Sequence, residues 1–186
     1  MLIGDKETVW QVVNWWHGLQ PNPEKKQPGD RAALARLRRC TSVTEALFEQ
    51  ETQALVRKCG ARWDSELSRL ALAASVLAHV RADKAGVSMA RQIGPVDTND
   101  DATALCKPVR FRRVLDAETY DDCLRVFRRL VVLAGETLDV ADLARSVMMW
   151  PREDAPDDLV GDQIRRKWVY DYWNAGIPDA AFDKKN

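Results

Sequence analysis

The chain has 186 residues, of which 46% are hydrophobic and 30% charged, a composition typical of soluble globular domains. Its 28 basic and 28 acidic side chains cancel, so net charge argues against a protein that binds polyanions over its whole surface. No apolar run reaches the length of a membrane span, and the N-terminal stretch lacks a signal-peptide charge pattern. These features predict a cytoplasmic protein with no membrane partner.

Apolar residues recur along the chain with the spacing of amphipathic helices, and strand-like alternation is hard to find. The fourth predicted helix, rich in Leu and Ala, is expected to form the buried centre of the first half. The first is expected to bury one face, with Val9, Trp10, Val13 and Trp16. A Pro-rich segment then ends it. We expect an all-α, compact bundle of about eight helices, at residues 6–17, 31–40, 43–59, 63–82, 108–116, 118–134, 139–150 and 160–175.

The clearest break in this pattern is the acidic segment 94–104, GPVDTNDDATA, which has no apolar period. It is predicted to be a loop. The chain then forms either a single helical unit over 1–186, or two lobes at 1–95 and 105–186 that this loop joins. The tail after Gly176 is predicted to be loose.

A short helix near the N-terminus concentrates arginine, in the stretch GDRAALARLRRC at 29–40. Asp30 is predicted to cap this helix, and its apolar residues fall on one side of a helical wheel. The other side is basic, with no acidic residue four positions away to pair with it: Arg31, Arg36, Arg38 and Arg39. Such a face is either a solvated surface or a site for a polyanion, and this helix alone leaves both readings open.

A second basic cluster lies in the stretch KPVRFRRVL, where Pro108 suits the first turn of a helix. Its cations are too many for the one nearby acid, Asp116: Lys107, Arg110, Arg112 and Arg113. A guanidinium group can donate two parallel hydrogen bonds to phosphate oxygens, so the cluster is a candidate for contacts with nucleic acid. Phe111, in its midst, is predicted to pack in the core, with stacking on a nucleic-acid base as the alternative.

A third cluster lies in TYDDCLRVFRRLVVLAGE, on a helix with a wide apolar face. Arg125 is predicted to pair with Asp121, four positions earlier, whereas Arg128 and Arg129 have no such partner. A fourth group, in the stretch DQIRRKW, follows Asp162 closely and is predicted to form surface ion pairs with it: Arg165, Arg166 and Lys167.

Motifs for catalysis, metal binding or cofactor binding do not emerge from the sequence. It has no phosphate-binding lysine loop, no dinucleotide-binding glycine motif and no plausible catalytic triad. The cysteines lie far from metal-ligand spacing and are predicted to be buried free thiols: Cys40, Cys59, Cys106 and Cys123. Most of the seven tryptophans are predicted to be core, although Trp150, Trp168 and Trp173 alternatively mark a partner interface.

Five stretches, taken in order, resemble the Cse2 (CasB) family, the small subunit of the type I-E CRISPR surveillance complex Cascade. AGVSMARQI is similar to the family's Gly-x-Ser-Leu-Gly-Arg-x-Leu segment, in which Ser88 and Arg91 match. The other four are GDRAALARLRRC, VRFRRVLDAETYDDCLRVFRRLVVLA, DLARSVMMW and IRRKWVYDYW. Each stretch is short, but together they cover essentially the whole chain.

The resemblance implies an all-helical, non-catalytic subunit without cofactors that acts in antiviral defence, in two copies beside the other Cascade subunits. Such a subunit holds the guide RNA–target DNA heteroduplex and guides the displaced strand through basic surfaces, while base pairing reads the sequence. The matching residues, joined by Lys107 from the second cluster, are Arg31, Arg38, Arg39, Arg91, Arg110, Arg112, Arg113, Arg128 and Arg129. The alternative is a helical protein–protein adaptor whose arginine face binds an acidic partner.

Overall fold

The computed structural model describes residues 4–22, 24, 26–97, 99–153 and 159–176, and within them the chain is predominantly helical. The predicted all-α class is confirmed. The tail after Gly176 lies outside the described residues. The α-helices are α1 (Lys6–Leu19), α2 (Arg31–Arg39), α3 (Val43–Phe48), α4 (Gln50–Cys59), α5 (Asp64–Leu77), α6 (Met89–Ile93), α7 (Pro108–Leu115), α8 (Tyr120–Leu133), α9 (Val140–Met149) and α10 (Leu159–Trp173).

The described residues contain ten α-helices rather than the eight expected, and two local features account for the difference. The predicted helix 43–59 is divided at Glu49, whose extended backbone (ψ 137°) ends α3 and starts α4. The short helix α6 was not expected, and Ser88 caps it by accepting a hydrogen bond from the Arg91 amide. The segment 94–104 contains only a short 3-10 turn, Asp101–Thr103, among its described residues.

Two very short strands form a parallel pair that the sequence pattern did not predict: β1 (Ala82–Asp83) and β2 (Thr137–Leu138). In the chain, β1 follows α5 and β2 precedes α9, so the pairing of the two strands fixes the start of α9. The Asp83 carboxylate accepts from the Val140 amide at 3.1 Å, and Asp139 accepts from the Asp142 amide at 2.9 Å. Two residues per strand are too few to give an alternating pattern.

The helix α5, predicted to be the buried centre of the first half, also packs against helices of the second half. All of its residues from Arg69 to Leu77 are buried, and it packs against α3, α8 and α9. Small side chains such as Ala71, Ala73 and Ala74 let the neighbouring helices approach closely. A single hydrophobic cluster includes residues from both sides of the acidic segment 94–104, so the helices of the two halves share one core.

Aromatic side chains fill the part of the core between α8, α9 and α10. Trp150 and Trp168 meet edge to face with ring centroids 4.9 Å apart, and Phe127 packs against both rings. Trp168 also donates its indole N–H to the Ser146 hydroxyl at 2.9 Å. These two tryptophans are therefore core residues, and the alternative of a partner interface is wrong for them; Trp173 is partly exposed.

The buried face of α1 is shifted from the predicted one. It consists of Val12, Trp15, Trp16 and Leu19 together with Thr8. Trp10 is 58% exposed, which corrects its assignment to the buried face, while Val9 and Val13 are only partly buried. The face is set by indole hydrogen bonds as well as by apolar contact, since Trp15 and Trp16 donate to backbone carbonyls of α4 and α5.

The four cysteines are free thiols, and three of them are buried as predicted; Cys59 is intermediate. Burial raises the pKa of Cys59 to about 11 and that of Cys123 to about 12. Across the described residues, no group of three or more acidic, cysteine or histidine side chains is arranged to hold a metal ion. None of the described helices combines the length and hydropathy needed to cross a membrane.

Candidate nucleic-acid interface

The second basic cluster forms α7, whose two faces differ in exposure. Pro108 occupies its first turn, where a backbone N–H is not needed, and Phe111 and Val114 are buried. The rest of the helix circumference is exposed and carries three arginines that have no acidic partner among the described residues: Arg112 and Arg113 on the side away from the buried pair, and Arg110 at the edge of the buried face. Lys107, just before the helix, is also exposed, and its Nζ donates to the carbonyl of Ala102. The helix α7 therefore presents three uncompensated charges to solvent.

Phe111 attaches α7 to α10. It is 3% exposed, and its ring stacks on that of Tyr172 with centroids 4.0 Å apart and planes inclined by 7°. Tyr172 donates its hydroxyl to the Cys106 carbonyl at 2.6 Å, and burial raises the pKa of Tyr172 to about 12. The predicted core position of Phe111 is confirmed. Stacking on a nucleic-acid base is wrong for this ring because it has no accessible face.

A buried arginine holds the C-terminal end of α7. Arg165 is 7% exposed, and its guanidinium lies 4.9 Å from the centroid of the Trp150 ring. It donates to three backbone carbonyls, those of Leu115, Ala117 and Trp150, at 3.3, 3.0 and 2.8 Å. The predicted surface position of Arg165 is therefore wrong. Carbonyl groups at helix ends and in loops need donors when they are buried, and Arg165 supplies three from inside the core.

The neighbouring cations of α10 lie at the surface, as predicted, but with different partners. Asp162 pairs with Arg152 rather than with the α10 cations. Lys167 pairs with Asp171, one turn later on the same helix. Arg166 is exposed.

The arginine helix α2 begins as predicted, because the Asp30 carboxylate accepts from the Ala33 amide at 2.8 Å. Arg31 and Arg39 are exposed, and Arg39 donates its Nε to a carbonyl of its own helix. Arg36, however, forms an ion pair with Glu49 at 2.9 Å. The expected all-cationic face is thus neutralised at one position, by an acid thirteen residues away that helical spacing does not reveal.

Arg38 and Arg128 are half-buried and each binds the carbonyl end of a neighbouring helix. Arg38 donates its Nε to the Ala78 carbonyl at 2.6 Å, after α5, and Arg128 donates to the Leu37 carbonyl at 3.2 Å in α2. His79 lies close to both guanidinium groups. Its pKa is lowered to about 4, first by burial and then by the charges of Arg128 and Arg38. These two arginines thus join α2, α5 and α8, and their charge lies partly below the surface.

Arg129 is exposed beside them on α8 and has no acidic partner among the described residues. Arg125 pairs with Asp122 at 2.9 Å, not with Asp121 as predicted. Asp121 instead accepts from the Val43 amide at 2.9 Å, at the start of α3. A hollow of about 330 Å³ lies between Thr41 and the arginines of α8.

Arg91 lies on α6 and binds the end of α10. Its Nε and a terminal nitrogen donate to the Asn174 carbonyl at 3.4 and 3.3 Å. Ser88 donates its hydroxyl to Asp171 at 2.8 Å, also on α10. The two helices pack so closely here that a Cβ at Gly94 would lie 2.1 Å from the Tyr172 carbonyl oxygen. The matched serine and arginine of this segment therefore contribute to the packing of α6 on α10.

The candidate residues fall into two groups. The first joins the end of α2 to α8 through the contact between Arg128 and Leu37, and contains Arg38, Arg39, Arg128 and Arg129. The second joins α6 to α7, since the Cys106 amide binds the Ile93 carbonyl at 2.9 Å, and contains Arg91, Lys107, Arg110, Arg112 and Arg113. Arg31 belongs to neither, because it begins α2 and lies about 12 Å along the helix from Arg39.

Phe48, for which no role was predicted, ends α3 with 90% of its surface exposed. A signal was available in the pattern. At about 100° per residue, Phe48 falls on the side of α3 opposite to the buried residues Val43 and Ala46. An aromatic residue on the outer side of an anchored helix is a candidate contact for a ligand or partner.

Comparison with protein families gives one finding. The model of the family described as CRISPR-associated protein Cse2 matches residues 33–173, more than half of the chain. Every candidate residue except Arg31 lies within the matched range. Neither the comparison with curated proteins nor that with solved structures returns a match.

Proposed function

The chain belongs to the Cse2 family of CRISPR-associated proteins, and from this premise we propose that it is a non-catalytic structural subunit of the Cascade surveillance complex. In this role it binds the guide RNA–target DNA heteroduplex and the displaced strand through its exposed cations. It assembles in the cytoplasm with the other Cascade subunits and with a second copy of itself, in antiviral defence.

The observation that carries this proposal is the outer face of α7. Arg110, Arg112 and Arg113 are exposed, and no described acidic residue neutralises them. The helix that bears them is rigidly placed, since Phe111 stacks on Tyr172 and Arg165 binds its last carbonyls. Fixed guanidinium groups suit phosphate oxygens, whose geometry they match in pairs of hydrogen bonds.

The neutral net charge of the chain is compatible with such a surface because several acids near α2 and α8 are already engaged, and Asp116, at the end of α7, forms no ion pair with the arginines of that helix among the described residues. Asp30 and Asp121 bind backbone amides at helix starts. Glu49 and Asp122 pair with Arg36 and Arg125. Arg110, Arg112 and Arg113 thus remain available to neutralise phosphates, although the whole molecule carries no excess charge.

Recognition in this proposal is of the sugar-phosphate backbone. Contacts between arginine and phosphate position a protein on nucleic acid without reading its sequence. In an RNA-guided complex base pairing, not the protein, supplies sequence specificity. Binding is therefore expected to be insensitive to sequence and to weaken as salt is added.

The test replaces all three α7 arginines by alanine, Arg110→Ala, Arg112→Ala and Arg113→Ala, and measures affinity for an RNA–DNA heteroduplex of random sequence. The matched control removes three other exposed cations, Arg57, Lys58 and Arg62, and so changes net charge equally. We expect the α7 variant to bind about tenfold or more weakly, since three phosphate contacts are lost, and the control to bind like the wild type. Equal weakening of both variants would contradict a role specific to α7.

The adaptor alternative makes a different prediction for the same variants. If the α7 arginines bind an acidic protein, the triple variant loses association with Cascade subunits in co-purification while its affinity for the heteroduplex stays unchanged. That result would overturn the proposed nucleic-acid contact.

A further inference from the structure

Phe48 has the highest exposure among the large hydrophobic residues of the described chain, at 90%. Its helix is not loosely attached, because Val43 and Ala46 of the same helix are buried and α3 packs on α5 and α8. Removing the apolar surface of a phenylalanine side chain from water is favourable. An exposed ring on a fixed helix is therefore a strong anchor for whatever covers it.

A hollow of about 490 Å³ lies beside the ring, and its polar walls contain both signs of charge. Arg39 is exposed and has no acidic partner among the described residues. The two carboxylates are occupied: Glu49 pairs with Arg36. Glu45 accepts from the amide of Thr41 at 2.6 Å and from its hydroxyl at 3.0 Å, and these bonds lower its pKa. The available groups are thus one aromatic face and one guanidinium.

A second hollow adjoins the first across this pair of hydrogen bonds, because Thr41 lines one hollow and Glu45 lines the other. The second hollow is lined by three arginines, of which Arg129 is exposed and without an acidic partner among the described residues. The two adjoining hollows therefore combine one exposed aromatic ring with two exposed arginines that have no acidic partner among the described residues.

This combination of an exposed ring with unpaired arginines suits a single strand better than a duplex. Proteins that bind single strands stack unpaired bases on aromatic rings and place cations along the backbone. In a duplex each base is stacked and paired inside the helix, so its face is not available to Phe48. An acidic peptide would use the arginines and would cover the ring only if it carried an apolar side chain at the matching position.

We infer that Phe48 is a stacking platform for one unpaired base of single-stranded nucleic acid, with Arg39 and Arg129 contacting phosphates of the same strand. The inference rests on the proposed function, since it assigns one strand class to part of the proposed basic surface. It separates the roles of the two groups of residues. The helix α7 binds the sugar-phosphate backbone of either a duplex or a single strand, and the surface around Phe48 selects an unpaired strand.

The experiment compares binding of wild-type protein, Phe48→Ala and Phe48→Tyr to a fluorescein-labelled oligodeoxythymidylate and to a duplex of matched length. Trp63→Ala is the matched control, because Trp63 is also exposed and lines neither hollow. Loss of one base–aromatic stack costs about 1–3 kcal/mol, so we expect Phe48→Ala to bind the single strand about 5- to 140-fold more weakly. Duplex affinity is expected to change less than about twofold, and Phe48→Tyr is expected to bind like the wild type.

A strand of abasic residues isolates the stacking contribution. Wild-type protein is expected to bind it as weakly as Phe48→Ala binds the normal strand, with no further loss in the variant. Unchanged single-strand affinity in Phe48→Ala, with affinity lost in the α7 triple variant, would overturn the inference and leave the proposed function intact. Loss of association with Cascade subunits at unchanged strand affinity would assign Phe48 to a protein contact. Failure of the wild type to bind either nucleic acid would contradict both proposals.

Discussion

Replacing Arg165 by methionine tests whether the basic helix α7 is held from inside the core. Methionine keeps most of the aliphatic volume of the side chain and removes its five N–H donors. Three carbonyls, those of Leu115, Ala117 and Trp150, then lose a donor at hydrogen-bond distance. A buried group left unsatisfied costs about 1–3 kcal/mol, and we use the lower limit because burial of the guanidinium charge is relieved at the same time. The free energy of unfolding is expected to fall by about 3 kcal/mol.

Urea denaturation followed by tryptophan fluorescence measures this change. With an m-value of about 2 kcal/mol/M, a loss of about 3 kcal/mol lowers the midpoint by about 1.5 M. Arg166→Met is the matched control, since Arg166 is the adjacent residue on α10 and is exposed. Its midpoint is expected to correspond to a change within about 0.5 kcal/mol. Equal midpoints for the two variants would refute the idea that Arg165 supports the end of α7.

Two further changes probe the packing around the candidate surface. Phe111→Ala removes the ring that stacks on Tyr172 and is expected to lower the free energy of unfolding by about 3–5 kcal/mol in urea denaturation; a loss below about 1 kcal/mol would show that α7 is held in another way. The pKa of His79 is lowered from 6.5 to about 4, so the folded state resists protonation of this side chain. The contribution of neutral His79 to the free energy of unfolding is therefore complete above pH 6.5 and is lost as the pH falls to 4. At about 1.4 kcal/mol per pKa unit, wild-type stability relative to His79→Gln is expected to fall by about 3 kcal/mol over that range, and a pH-independent difference would contradict it.

The helices with strong local signals were predictable from sequence. Residues 31–39, 108–115 and 120–133 show apolar side chains at helical spacing, and Asp30 and Pro108 mark two of the starts. The break at Glu49 was not predictable, because no glycine or proline marks it. The turn there depends on contacts made only after folding, such as the hydrogen bond that the Gln53 side-chain amide donates to the Leu47 backbone carbonyl at 2.7 Å.

The core position of Phe111 was also predictable from sequence, because Phe111 and Val114 fall on one face of α7 at helical spacing. The sequence did not separate the arginines that bind carbonyl groups from those that remain free. Arg165 was the clearest miss, and Arg38, Arg91 and Arg128 have the same kind of partner. A backbone carbonyl is present at every residue, so it leaves no mark in a sequence that pairs charges by type.

The most direct test of the central proposal is the salt dependence of heteroduplex binding. Each phosphate neutralised contributes about 0.9 to the slope of log affinity against log salt concentration. If Arg110, Arg112 and Arg113 each contact one phosphate, the slope of their triple alanine variant is expected to be shallower than that of the wild type by about 2.7. The control variant at Arg57, Lys58 and Arg62 is expected to keep the wild-type slope. Identical slopes for the wild type and the α7 variant would contradict a nucleic-acid contact at this helix.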